Sequence, residues 1–186
     1  MLLLWCDPLW AEQLSGEVQV AYAQSRNKEE QISLIETTAY LEARISDDLS
    51  GFVVGYYDDE FRSTTIGMAM MFGSLQVGLG IGNATFNQSN HFVINPLAYY
   101  LDDTYTAYLH AEHYSNERDE PWYVKGYALR KFGLLSVGVY GDSFFGVGPR
   151  LDVKIGEHFS VWTAYSVAFQ PEEGAMKSMF GVSVGF

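Results

Sequence analysis

Three residues have the types and spacing for acyl-transfer chemistry: His113, Ser115 and Glu120. A serine hydroxyl is a weak nucleophile that needs an adjacent base, and the base needs an acid to orient it. Residues two apart on a strand share a face, so His113 and Ser115 of His113-Tyr114-Ser115-Asn116 would stand side by side. They share parity with Leu109 and Ala111, an apolar face, and Glu120 is the nearest acid with reach. The competing reading of the same stretch is the polar mouth of a loop.

A second group has mixed charge. Glu42, Arg44, Glu112, Lys125, Arg150, Asp152 and Lys154, with Glu17, His110 and Lys177, fall on the parity opposite the apolar residues of their segments. Charges gathered away from bulk water must pair or stay wet. They would form either a constriction that filters solutes by charge or a salt-bridged plug. The acidic runs Glu29-Glu30, Asp58-Asp59-Glu60, Glu117-Arg118-Asp119-Glu120 and Glu172-Glu173 lack an EF-type spacing and are expected to be solvated loop tips. His91, His110, His113 and His158 show no metal-ligand spacing, and Cys6 is the only cysteine, so neither a Cys-based zinc site nor an internal disulfide is expected. No cofactor is expected. Gly78, Gly80 and Gly82 are not a phosphate loop, because no helix follows them.

The elements that position these groups are strands. Apolar residues make up 48% of the 186, aromatics 16%, and the mean hydropathy is −0.04. No apolar run reaches the roughly 18 residues that a spanning helix needs. Period-two alternation runs from Glu17 onward. Ile66, Met68, Met70 and Phe72 oppose Ser63, Thr65, Gly67 and Ala69; Leu75, Val77, Leu79 and Ile81 oppose Gln76, Gly78, Gly80 and Gly82. About twelve strands are predicted, near 17–24, 36–45, 51–58, 62–72, 74–82, 91–101, 104–114, 121–131, 133–141, 146–155, 159–169 and 175–186, with ten as the alternative count. Strand 91–101 is the weakest, because Pro96 lacks a donor. Long or polar connectors (25–35, 58–61, 83–90, 115–120, 142–145, 170–174) alternate with short ones (46–50, 73, 102–103, 132–133, 156–158).

One face is almost purely apolar, while the other carries Gly, Ala and Ser with isolated charges. Aromatics such as Tyr56, Phe72, Tyr105, Trp122 and Phe159 gather near strand ends. That pattern predicts an all-β, antiparallel up-and-down transmembrane barrel over 17–186, apolar face to lipid and small residues to the lumen. A soluble lipocalin-like barrel binding an apolar ligand is the alternative; Gly78, Gly80 and Gly82 would then point outward. Residues 1–16 are expected to be an N-terminal arm or signal-peptide remnant, apolar as far as Trp10-Ala11. The net charge of −12 speaks against a nucleic-acid partner.

The last strand, Phe180-Gly181-Val182-Ser183-Val184-Gly185-Phe186, resembles the C-terminal signature of bacterial outer-membrane β-barrel proteins. The resemblance implies the outer membrane as location, outer-membrane lipids and lipopolysaccharide as surroundings, and recognition by the barrel assembly machinery. The stretch His113-Tyr114-Ser115-Asn116 resembles the His-x-Ser-Asn motif of outer-membrane lipid A deacylases, which implies Ser115 as nucleophile and His113 as base. The acid Glu120 follows sooner than in that family, and the motif lies mid-chain. The function expected is a non-enzymatic barrel, a narrow passive pore or a structural envelope protein, with a lipid hydrolase as the alternative.

Overall fold

The alternating segments all become strands in the computed structural model. They are β1 (Leu14–Arg26), β2 (Gln31–Arg44), β3 (Leu49–Tyr57), β4 (Phe61–Phe72), β5 (Leu75–Phe86), β6 (Ser89–Leu101), β7 (Tyr105–Tyr114), β8 (Trp122–Phe132), β9 (Leu135–Asp142), β10 (Gly146–Ile155), β11 (Phe159–Val167) and β12 (Met176–Gly185). The structure describes residues 14–26, 31–58, 61–86, 89–115, 122–143, 146–167 and 176–186. Each strand pairs antiparallel with its sequence neighbours, and β1 pairs with β12, so the sheet is closed. The result is an up-and-down barrel of twelve strands, not ten.

Two expected connectors prove to be mostly strand. β1 runs to Arg26 and β2 begins at Gln31, within 25–35; β5 and β6 leave only two residues between Phe86 and Ser89, within 83–90. Polar residues there suggested loops, but ladder bonds are made by the backbone, and polar side chains can pair across it. Thr85 and Asn90 face each other, and the Thr85 hydroxyl donates to Asn90 Oδ1 at 2.8 Å. The proposed arm lies outside the described residues as far as residue 13, while Leu14–Gly16 belong to β1.

Two of the short turns follow from glycine. Phe72 pairs with Leu75, and Phe132 with Leu135, leaving two-residue turns whose first residues, Gly73 (φ 64°) and Gly133 (φ 66°), are left-handed. Such turns match the twist of the flanking strands.

Pro96 sits mid-strand without a bulge, since Ile94 pairs with His113 and Leu97 with His110 in unbroken register. Ser115 N–H donates to Phe92 C=O at 3.1 Å. Continuing that alternation puts Pro96 opposite Ala111 where a backbone N–H should be donated. The neighbouring side chain supplies the bond instead: Asn95 Nδ2 donates to Ala111 C=O at 2.7 Å.

Burial is inverted relative to a soluble barrel. Ile66, Leu79, Phe132 and Phe180 are exposed on the outer wall, whereas Trp162, Tyr140, Glu112 and Arg150 are buried inside. Gly78 and Gly80 are buried and Gly82 half-buried, all on the inner face. This is the orientation expected of a membrane barrel. The inner glycines serve particular rings. A Cβ at Gly67 would lie 2.4 Å from the Phe52 ring, and one at Gly181 would lie 2.3 Å from the Trp162 indole. Glycine on one strand lets an aromatic ring lie flat across it from the next.

Candidate functional site

The lumen is organised in levels. At the end carrying the longer connectors, rings from four consecutive strands, β4 to β7, pack along one side of it. The Phe86 and His91 rings stack with centroids 4.0 Å apart and planes 7° apart, Phe61 lies against Phe86 at 5.9 Å, and Tyr114 meets both phenylalanines edge-on. Among the described residues neither ring nitrogen of His91 has a hydrogen-bond partner, as befits a packed ring.

Below these rings lies a layer of polar side chains. Glu112 accepts hydrogen bonds from Ser63 Oγ and the Tyr114 hydroxyl, both at 2.7 Å, and its carboxylate lies 3.3 Å from His110 Nε2. Lys125 Nζ is ion-paired with Glu36, and both are buried. These two come from β8 and β2, opposite one another in the ring of strands, so the pair is a crossbar through the lumen. The ammonium also lies 5.5 Å from the centre of the Tyr56 ring. Asp142 accepts from the Tyr123 hydroxyl at 2.7 Å and from that of Tyr140 at 3.2 Å.

Arg150 is held by a bidentate pair with Asp152, at 2.8 and 2.9 Å. Its guanidinium lies between two rings, 4.2 Å from the centre of Tyr127 and 4.3 Å from that of Trp162. Such sandwiching stabilises a cation that has left bulk water. The register explains the supply of rings: Tyr99 faces Tyr108, Tyr108 faces Tyr127, and Tyr127 faces Tyr140, one unbroken row of tyrosines across β6 to β9.

The other end is hollow. A cavity of about 330 Å³ reaches from Ser15, Gly16 and Leu101 at the short-turn rim down to Tyr56, Tyr123 and Lys125. Glu17, Glu42 and Gln76 line it, with Tyr40, Tyr99, Tyr108 and Tyr127 as aromatic walls. A second hollow of about 310 Å³ adjoins it at the rim, where Arg44, Ser46 and Asp47 join Glu42.

The structure therefore distributes the expected lumen charges by depth. Glu112, Lys125 and Arg150 are buried, Glu42 and Asp152 are half-buried, and Arg44 and Lys154 are exposed toward the short-turn end. Lys177 carries no described side chain. Glu36, which has the same parity as Glu42, and Asp142, which falls in the connector expected at 142–145, are lumen charges outside the expected set. The tyrosine row is visible only once the register between strands is known.

His113 and Ser115 lie on the outer wall. His113 is half-buried, paired in register with Ile94 and Trp122, and its ring meets the Trp122 indole edge-on at 4.7 Å. Ser115 is exposed just beyond β7. Among the described residues no hydrogen bond joins the two side chains, and Asn116 and Glu120 lie outside those residues, as do most of the acidic runs.

A closed twelve-strand barrel with an apolar outer wall and a polar, aromatic lumen has the fold of bacterial outer-membrane β-barrels. No protein-family model matches the chain, and no curated protein matches it in sequence. Solved structures do resemble it. Outer-membrane phospholipase A from Escherichia coli superposes with a TM-score of 0.58 at 9% identity, over 91% of this chain and 92% of that one. A KdgM porin gives 0.54 at 9% identity, over 90% and 99%. The calcium-bound dimer of the Salmonella typhi outer-membrane phospholipase gives 0.52 at 9%, over 91% and 90%. At such identities the likeness is one of fold.

Proposed function

We propose that the protein is a bacterial outer-membrane β-barrel with a closed lumen, a structural element of the envelope that does not conduct ions at rest. The observation that carries this reading is the Lys125–Glu36 crossbar, which spans the lumen from β8 to β2. An ion moving along the axis would meet a buried pair that spans the lumen. The outer wall supports the location: Ile66, Met68, Leu79, Ile81, Val137 and Val139 all present their side chains outward. Lipids and lipopolysaccharide are the surroundings that such a wall fits, and the last strand, followed by exposed Phe186, suits recognition by the barrel assembly machinery. The test is reconstitution in planar bilayers. No current steps are expected from protein that migrates faster unboiled than boiled; steady conductance would overturn the closed-lumen reading. A protein soluble and monomeric in plain buffer would overturn the membrane reading.

A second reading, a lipid hydrolase, is favoured by one observation: His113 and Ser115 are on the outer wall, where a lipid substrate would lie. Two of the similar structures are outer-membrane phospholipases. In that reading Ser115→Ala and His113→Ala each abolish fatty-acid release from lipopolysaccharide or phospholipid and leave gel mobility unchanged. Absence of release by the natural protein would dismiss it.

A further inference from the structure

We propose that the cavity at the short-turn end binds a small organic ammonium ion, held among the rings of Tyr40, Tyr99 and Tyr108 and by the carboxylates of Glu17 and Glu42. All five residues line the same hollow of about 330 Å³. That volume falls within the range of about 300–1,000 Å³ typical of small-ligand sites.

The sign of the ligand's charge follows from which ions are already engaged. Lys125 is taken up by Glu36 and Arg150 by Asp152. Among the described residues neither Glu17 nor Glu42 forms an ion pair. Glu17 accepts one hydrogen bond, from Gln19, and Glu42 accepts from Tyr40 and Gln76. An anion entering at the rim would meet two carboxylates, with Arg44 exposed beside them at the edge. A neutral molecule would shut these carboxylates off from water without pairing them, which is costly. An ammonium ion pairs with them and presents its remaining face to the rings, whose negative faces attract cations.

One further observation points to such a ligand. The same lumen already holds one cation between rings, since the Arg150 guanidinium lies between Tyr127 and Trp162. The empty part of the row, toward Tyr108 and Tyr99, offers a similar surface with carboxylates in front of it.

The experiment is a calorimetric titration of the full chain in detergent micelles with three probes of nearly equal size: phenethylamine, phenethyl alcohol and phenylacetate. Saturable binding of the amine is expected, with the alcohol and the acid weaker by about tenfold or more. Glu17→Gln, which among the described residues disturbs the hydrogen bond from Gln19, should weaken the amine about fivefold or more. Tyr108→Leu should weaken it as well, with folding checked by the mobility of unboiled protein. No saturable binding of the amine, equal affinity for the three probes, or unchanged affinity in Glu17→Gln would each overturn the proposal. Should Glu17→Gln fail to fold, the comparison of probes and Tyr108→Leu decides alone.

Discussion

Lys125 on β8 meets Glu36 on β2 across the full width of the barrel. A buried pair is a weak source of net stability, but breaking it from one side is costly because an uncompensated charge stays behind. Glu36 has little else to turn to, since its second carboxylate oxygen has no partner among the described residues. Lys125→Ala should therefore destabilise the barrel by about 3–5 kcal/mol in denaturant unfolding from micelles. The double variant Lys125→Met with Glu36→Leu should recover most of that loss. If the double variant were as unstable as the single one, lost packing rather than stranded charge would be the cause.

Asn95 is the second sensitive point. It stands in for the donor that Pro96 lacks, bonding Ala111 C=O, and also lies 3.3 Å from Thr65 Oγ1 and 3.2 Å from His110 Nδ1. Asn95→Ala leaves that carbonyl unsatisfied away from water, at a cost of about 1–3 kcal/mol. Pro96→Ala introduced into the Asn95→Ala variant should restore part of it by returning a backbone donor. A null effect of Asn95→Ala on the unfolding midpoint would contradict this account of the strand.

The outer and inner walls should respond to arginine for different reasons. Leu79→Arg and Val137→Arg put a charge on exposed apolar positions and should impair assembly by about 2–4 kcal/mol near a bilayer midplane. Gly80→Arg points inward, where a Cβ would already lie 3.2 Å from the Phe52 ring, tight enough that the ring must shift. Gly80→Arg combined with Phe52→Ala should therefore assemble better than Gly80→Arg alone. The unboiled fraction on a gel reports all four variants.

The turn between β6 and β7 should carry a pH dependence. Asp102 accepts from the Tyr100 hydroxyl at 2.5 Å and from the backbone N–H groups of Tyr105 and Thr104 at 2.6 and 2.7 Å. These bonds, that from Tyr100 first, hold its carboxyl below the usual carboxylate value. A depressed folded-state value means that the stabilisation is present above the unfolded value, about pH 4, and is lost as pH falls through the lower folded value. Asp102→Asn should flatten this part of the acid limb of the unfolding curve and leave the profile above pH 6 parallel to that of the natural chain.

Much of the barrel is legible in the chain because a strand's period is two and one slip reverses every face. The segment 62–72 and its structural counterpart Phe61–Phe72 differ by one residue. Legibility fails where polarity stands in for a loop, as at 83–90, because Thr85 and Asn90 are content in a ladder. It fails again at the lumen contacts. Glu36 is a polar residue of the inner parity, but nothing local says that its partner is Lys125, since that depends on how far round the ring the sheet closes. His113 and Ser115 share the outer wall as the spacing requires, yet their competence depends on groups beyond β7 that parity cannot place.

Along the sheet, eleven of the pairings join consecutive strands, and one joins the first strand to the twelfth, with Glu17 opposite Gly185. The eleven can form as hairpins, each closing a short length of polypeptide, but the β1–β12 seam must wait until all twelve strands have been synthesised. Contacts so distant in sequence carry the largest closure entropy and are the slowest to form. Until they do, β1 and β12 are open edges with unpaired backbone groups, able to add a strand from another molecule. The short hairpins make the barrel easy to start, and the seam makes its last step the one at which it can aggregate.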